Sequence, residues 1–500
     1  MKNNNEYILN KTKINSGLQC QKKLWFDFHK PIKQQEEYLI KAGNKFGEVI
    51  RDNYGAGLDL SETHNISDVV KKTNEALNSK NVDVIYEAGF IYEDTLVRSD
   101  VLRRIKNGWE LLEAKGSKIK KKEHISDIAI QSFIIRSCGV NLTDIRLILI
   151  NAEFIYQGKQ NYKDLINDGE DITEEVNLEE KKVINHINQF KKLAGNVPNP
   201  KIYMGRHCDD PHICNYKDRC ESLTPETNVT PYTILPYKSK KLIAFCENNK
   251  IKSLIDVPAE QLNVIHNHHK IQEAHKNNKP WFNPELKNIF KEFEWPFYFM
   301  DFETVQQKVP IIENTKPFYA LPFQWSVHKW KDNNTKILLS EGDYFLNFSS
   351  QDIERVFLEK LLKVIGTKGT IFAHSASTEK AVLNRLKEKK ICGDLNEAID
   401  KLNSRVYDTV KLVRKNFYDP LMRGSYSLKN IIKAVPGAVS YGQKGDIGGG
   451  MGAQLSWLVC TDKKTSEQEK KKEENLLKDY CAKDTFNLYL LIKYLMFSSK

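Results

Sequence analysis

Acidic residues at two places in this 500-residue chain have the types and spacing needed to hold divalent cations against a phosphodiester. In LVRSDVLRRIKNGWELLEAKGSKIKKK, Asp100 is followed by a Glu-x-Lys, Glu113 and Lys115, inside an apolar, strand-like run. Period-two alternation puts Glu113 and Lys115 on one strand face and Leu112 and Ala114 on the other. If a hairpin-like connection returns that strand beside Asp100, two carboxylates and an ammonium converge. Such a pair suits Mg2+ or Mn2+, with Lys115 orienting or activating an attacking water. Gln131, at the opening of the next helix, could reach the same place. An ordinary amphipathic strand with a solvated face has the same pattern, so the string alone leaves both readings open.

About 200 residues further on, FYFMDFETV places Asp301 and Glu303 on one face at the end of an apolar, central-strand-like stretch. FAHSASTEKAVLNRL reads as a strand leading into a helix, with Glu379 early in that helix and Val382, Leu383 and Leu386 on its buried side. In LLKDYCAKDTFNLYLLIKYL, Tyr480 and Asp484 are four apart on an amphipathic helix and share a face. Asp408, in RVYDTVKL, is expected to be structural, and His374 to shape its turn rather than bind metal.

Nine cysteines are present. The N-terminus, MKNNNEYILNKTKI, lacks the apolar core of a signal peptide, and no run approaches the roughly 18 to 20 apolar residues of a membrane helix. A cytoplasmic location is therefore expected, where clustered thiols are read first as metal ligands. Cys208, Cys214 and Cys220 recur at six-residue steps, and Cys20 stands far upstream in KINSGLQCQKKLWF. Cys138, Cys246, Cys392, Cys460 and Cys481 are scattered and read as small buried hydrophobes. A net charge of +11 suits a polyanionic partner, as does the basic run Lys118 to Lys122.

The elements that must position these groups form an α/β pattern. A helix over 42–53, strands near 83–92, 97–103 and 108–114, a helix after Ser126 and a strand at 145–151 make up a first domain, 1–230. Its end, 196–230, is rich in Pro, Cys and polar residues and needs a staple in place of a core. A helical connector spans 231–290, where KLIAFCENNKIKSLIDVP suits either a helix-hairpin-helix or a plain packing spacer. A second α/β domain covers 291–500. In it GQKGDIGGGMG (442–452) is expected as a loop, without the Gly-Lys-Ser/Thr ending of a P-loop. The run at 463–475 is expected to be a solvated helix start.

The first string resembles the active site of PD-(D/E)xK nucleases of the RecB-like branch, with Asp100, Glu113, Lys115 and Gln131 at matching positions. That branch has a tyrosine where Ile135 stands, and a metal-binding histidine on an upstream helix where Glu48 stands, which leaves Glu48 a ligand or a surface residue. Cys20 with Cys208, Cys214 and Cys220 is similar to the iron-sulfur arrangement of CRISPR-associated RecB-like exonucleases and AddB-type helicase-nucleases. The resemblance implies a 4Fe-4S cluster, with zinc as the alternative and His207 and His212 as loop residues. The second constellation resembles the DEDDy 3'-5' exonucleases of the RNase H-like fold. It implies that Asp301, Glu303, Glu379 and Asp484 hold two metals while Tyr480 positions water. The third acidic position is usually Asp in that family, and Glu379 is one methylene longer.

From about residue 10 onward the chain is similar to a bacterial family that pairs these two domains. The strings KPFYALPFQWSVH (316–328) and GSYSLKNII (424–432) and the segment around Tyr441 look like that family's C-terminal domain. The resulting expectation is a restriction-endonuclease-like domain, a small helical connector and an RNase H-like domain, acting as a DNA nuclease in repair or defence. The alternatives are a nucleic-acid binding or scaffold protein without chemistry, and an RNA-trimming exonuclease.

Overall fold

The computed structural model describes residues 8–32, 36–202, 204–222, 230–349, 353–441 and 447–498. It is a mixed α/β structure that divides into two compact units, the first comprising 1–225 with 307–319 and the second 226–306 with 320–500. None of its described helices is long and apolar enough to cross a membrane.

The first unit starts with β1 (Leu9–Asn10), α1 (Lys11–Gln19), α2 (Gln21–His29), α3 (Glu36–Tyr54), β2 (Leu58–Asp59) and α4 (Ile66–Asn78). It continues through β3 (Val84–Tyr92), β4 (Thr95–Ile105), β5 (Gly108–Lys115), α5 (Lys122–Ser137), β6 (Leu142–Leu149) and β7 (Glu170–Asp171). Two helices, α6 (Thr173–Glu180) and α7 (Val183–Lys191), precede the cysteine-rich stretch, which contains α8 (Lys217–Ser222). The sheet order is β2-β3-β4-β5-β6-β7. β3, β4 and β5 form an antiparallel meander, α5 carries the chain across to β6 parallel to β5, and β1 pairs parallel with β4. Strand alternation sorts the apolar residues onto two faces. Leu102, Leu111 and Leu147 pack with Ile128, Ile134 and Ile135 of α5. Val101, Leu112 and Ile148 pack with Phe46, Val49 and Ile50 of α3.

The second unit runs through α9 (Lys240–Asn248), α10 (His268–Asn277), β8 (Trp281–Phe282), α11 (Leu286–Ile289), β9 (Phe297–Gln306), β10 (Ala320–Trp330), β11 (Asp343–Leu346) and α12 (Ile353–Ile365). Then come β12 (Ile371–Ala373), α13 (Ser377–Lys387), α14 (Asn396–Arg405), β13 (Val406–Asp408), α15 (Thr409–Asn416) and β14 (Phe417–Tyr418). The chain closes with α16 (Leu428–Ile431), α17 (Gly450–Thr461) and α18 (Glu467–Ser498). The main sheet is ordered β11-β10-β9-β12-β13, with the first three strands antiparallel and the last three parallel. Alternation along β10 aims Trp325 at α12, where its indole donates to the Phe357 carbonyl at 3.0 Å. It aims Gln324, Ser326 and His328 at α18, where they bond Leu477 and Thr485 at 2.8 to 2.9 Å. These three polar contacts fix α18 in register against the sheet.

The stretch expected as a connector is part of this unit's core. Leu242, Leu254 and Ile271 share one buried cluster with Phe297, Phe372 and Trp330. After α9 come two 3-10 turns, Leu254–Asp256 and Ala259–Gln261, in place of the regular second helix of a helix-hairpin-helix. In the glycine-rich stretch, residues 442–446 lie outside the described residues, and Gly450 to Gly452 open α17 where a loop was expected. Of the scattered cysteines, four are buried, but Cys138 is exposed because it caps the C-terminus of α5.

Candidate functional site

In the first unit, β4 and β5 pair as far as Val101 and Leu112. Beyond that point Asp100 takes over the ladder, its Oδ2 accepting from the Ala114 amide at 2.8 Å. Lys115 Nζ donates to Glu113 Oε1 at 2.9 Å and to Asp127 Oδ2. Asp100, Glu113 and Lys115 are thus brought together, and Gln131 lies one turn beyond Asp127 on the same face of α5. Three further residues join them. Lys11 donates to Glu113 Oε1 at 3.0 Å and stands 3.5 Å from Asp127 Oδ2. Asp127 is oriented by Asn15, whose Nδ2 donates to its Oδ1 at 2.7 Å. Glu87 sits at a left-handed φ of 56°, which interrupts the β3 ladder between Tyr86 and Ala88, and its charge is felt at Asp100.

Burial drives Asp100 up to about 7, and the neighbouring Glu113 charge adds to the rise. Burial acts in the same direction on Glu113, but Lys11 and Lys115 outweigh it and hold that carboxyl at about 2. Burial would lower Lys115, yet Glu113 and Asp127 leave it raised and charged. Glu113 Oε2 is buried without a partner, as are both amide atoms of Gln131, so the donor set has unspent capacity that fits a cation. Replacing Gln131 with leucine should stabilise the metal-free protein by about 1–3 kcal/mol, because an unpaired buried amide bears its full desolvation cost. Thermal unfolding in EDTA reads this directly, and an unchanged midpoint would contradict it.

Glu48 does not join the group. It is carried by α3, whose buried side chains lie on the Leu112 face of the sheet, and it pairs with Lys45 at 2.8 Å while half exposed. Ile135, at the tyrosine position, is fully buried in the α5 core, where a phenol would need a partner for its hydroxyl.

In the second unit, the odd-numbered residues of β9 face α18: Phe299 meets Tyr489, and Asp301 and Glu303 follow on the same side. Asp301, Glu303 and Asp484 each offer an oxygen within 4.8 Å of the others. They are the only group of three or more metal-ligating side chains gathered this closely among the described residues. Glu379 is buried at the start of α13 with Oε2 unpartnered, and its charge is felt at both Asp301 and Glu303. Tyr480 and Tyr441 both donate to the Asp484 carboxylate, and Asn487 Nδ2 donates to the Tyr441 hydroxyl at 3.2 Å. Lys429 Nζ lies 5.1 Å from the Tyr441 ring and 5.5 Å from that of Tyr480.

Burial and mutual repulsion leave these carboxylates reluctant to ionise together. Asp301 is raised well above its ordinary value, Glu303 and Glu379 to about 8, and Asp484 to about 6, burial being the leading cause in each. A buried group of acids with no neutralising ammonium bonded to it among the described residues fits divalent cations well. His374 bonds Thr409 at 2.9 Å and the Tyr426 carbonyl at 3.0 Å, and Asp408 accepts from the Val410 amide at 2.9 Å to cap α15. Both shape turns. Tyr441, Lys429 and Cys481, whose sulfur is 3.7 Å from Asp301 Oδ2, carry no motif of their own in the sequence.

The four thiols are gathered at one end of α1. Cys20 is that helix's C-cap, and the preceding Gln19 donates to the His207 and His212 carbonyls at 2.9 and 2.6 Å. Cys208, Cys214 and Cys220 fold back beside it, so that Cys214 feels the charges of Cys20 and Cys208, and Cys220 those of all three other thiols. Burial would raise the Cys20 thiol, but a hydrogen bond with His207 lowers it overall. Phe26 stacks on Tyr216 at 5.0 Å, and with Cys214 they form a small buried cluster among the described residues. So small a cluster leaves the stretch short of apolar burial.

Residues 298–427 match the family described as Domain of unknown function (DUF2779). The match takes in Asp301, Glu303 and Glu379 and ends before Tyr441, Tyr480 and Asp484. No curated protein matches the chain.

Proposed function

We propose that this protein is a metal-dependent nuclease that hydrolyses DNA phosphodiesters, with a RecB-like PD-(D/E)xK site in the first unit and a DEDDy-type 3'-5' exonuclease site in the second. The observation that carries this reading is the convergence of Asp301, Glu303 and Asp484 beside Glu379, from elements spread over more than 180 residues. The sheet orders support it: an antiparallel meander crossing by α5 to a parallel strand suits a restriction-endonuclease-like core, and β11-β10-β9-β12-β13 suits an RNase H-like one.

Divalent cations, when bound, stabilise the entering and leaving oxygens of the displacement. In the second unit Asp301, Glu303, Glu379 and Asp484 would hold them. The Tyr480 hydroxyl, kept protonated by burial and the surrounding carboxylates, orients water beside Asp484. In the first unit Asp100 and Glu113 would hold the cation, and Lys115, charged and fixed by Glu113 and Asp127, orients the attacking water. The decisive experiment is Mn2+-dependent degradation of end-labelled single- and double-stranded DNA, with RNA in parallel. Binding without cleavage would instead support the scaffold reading, and preferential loss of RNA the RNA-trimming one.

The four neighbouring thiols are read as the ligands of a 4Fe-4S cluster, on the likeness of their spacing to the iron-sulfur arrangement, with zinc as the alternative. Wild type should be brown with broad visible absorbance that bleaches on reduction, and Cys20→Ala should lose both the colour and most of the soluble yield. A colourless protein containing stoichiometric zinc would overturn the assignment.

A further inference from the structure

We infer that Lys11 is a second cation of the first site and binds the phosphate of the strand to be cut. This rests on reading that site as hydrolytic. Lys11 is held firmly in place. β1 pairs Leu9 with Thr95 and Asn10 with Leu96, the Asn10 side chain caps α1 by accepting from Lys13 N at 2.9 Å, and Asn15 ties the helix to Asp127.

The ammonium groups of Lys11 and Lys115 share the same two partners, Glu113 Oε1 and Asp127 Oδ2. Neither bonds Asp100 or Glu113 Oε2. Both therefore stand at Glu113 Oε1, and Glu113 Oε2 is left open to a divalent cation. Charge counting then favours an anion. With all three carboxylates ionised, as a bound cation would require, Asp100, Glu113 and Asp127 against two ammoniums leave one negative charge, since Glu87 is matched by Arg98 at 3.2 Å. A divalent cation turns this into one positive charge, which a phosphodiester's single negative charge cancels.

Two further observations select Lys11 for this task. It occupies the first position of a nine-residue helix, whose leading amides lack partners within the helix and add positive potential. The buried, unpartnered Gln131 amide and Glu113 Oε2 belong to the same group and show that its polar capacity is not met from within. Lys115, on the rigid strand with the acids, is left to the water.

The test uses the full chain carrying Asp301→Asn, so that the second unit neither trims the probe nor grips its end through metals. Fluorescently labelled DNA is titrated in Ca2+ at several salt concentrations. Lys11→Gln should weaken binding roughly tenfold and reduce the log–log salt slope by about one. In Mn2+ it should raise KM by a similar factor with little change in kcat, whereas Lys115→Ala lowers kcat. The paired variant Lys11→Gln/Asp127→Asn removes the charge together with its counter-charge and so preserves the fold. It should bind as poorly as the single variant. Recovery of parental affinity in the pair, or parental affinity and slope in Lys11→Gln, would reduce Lys11 to a neutraliser of Asp127 and overturn the proposal, as would a parent that binds no DNA. If binding depends on Lys11 but nothing is cleaved in Mn2+, the phosphate role stands and the hydrolytic reading of the site falls.

Discussion

Asp301→Asn is expected to cut 3'-end trimming by at least about a thousandfold, since one lost ligand removes several kcal/mol of transition-state stabilisation. The same substitution should make the metal-free protein more heat-resistant above neutral pH. Asp301, Glu303, Glu379 and Asp484 are all raised in the folded state, with Asp484 at about 6 and Glu303 and Glu379 at about 8. A carboxyl whose folded value exceeds its unfolded one favours folding fully below the unfolded value near 4, and that contribution is lost as pH climbs through the folded value. In EDTA, wild type should therefore lose thermal stability between about pH 5 and pH 8.5. Removing one of the repelling acids should flatten that decline, at roughly 2–4 °C for each kcal/mol recovered. Mn2+ should restore wild type at pH 8.5 more than at pH 5, where protons compete, and should restore the variant less. A variant that keeps trimming, or whose pH profile in EDTA parallels wild type, would remove Asp301 from the metal-holding group.

Lys115→Ala, placed in the Asp301→Asn background so that only the first unit can cut, should eliminate the remaining cleavage, again by about three orders of magnitude. Stability should suffer as well. Glu113 is 1 % and Asp127 9 % exposed in their side chains, and breaking a buried ion group from one side costs about 3–5 kcal/mol. Lys11 remains to neutralise part of that charge, so the loss should fall at the low end of that range. Adding Asp127→Asn should recover stability but not cleavage. Recovery of both would mean that Lys115 serves only as a counter-charge.

The parts of these sites that could be read from sequence are those governed by local periodicity. Asp100, Glu113 and Lys115 were legible because a strand alternates every residue. Tyr480 and Asp484 were legible because a helix returns every fourth. Asp127 was within reach of the same reasoning, since it precedes Gln131 by one turn. Lys11 was not, because it is delivered by a two-residue parallel strand pairing across more than 80 residues. Glu87 depends on a positive-φ break within β3 that its own residue type does not announce. Tyr441 and Lys429 sit in strings recognisable only as resembling a family, and their approach to Asp484 follows from how α16 and the segment after it pack beside α18. Glu48 failed because helix periodicity states which side of α3 is buried but not which face of the sheet that side will cover.

Lys11 and Cys20 are the first position and the cap of one helix, α1, about 13 Å from end to end. A rod this short does not bend, so its two tips share every displacement. If the thiols hold a cluster and the first unit cuts, as proposed, oxidants or chelators that unseat the sulfur end would retract the ammonium at the other and halt cleavage from a distance.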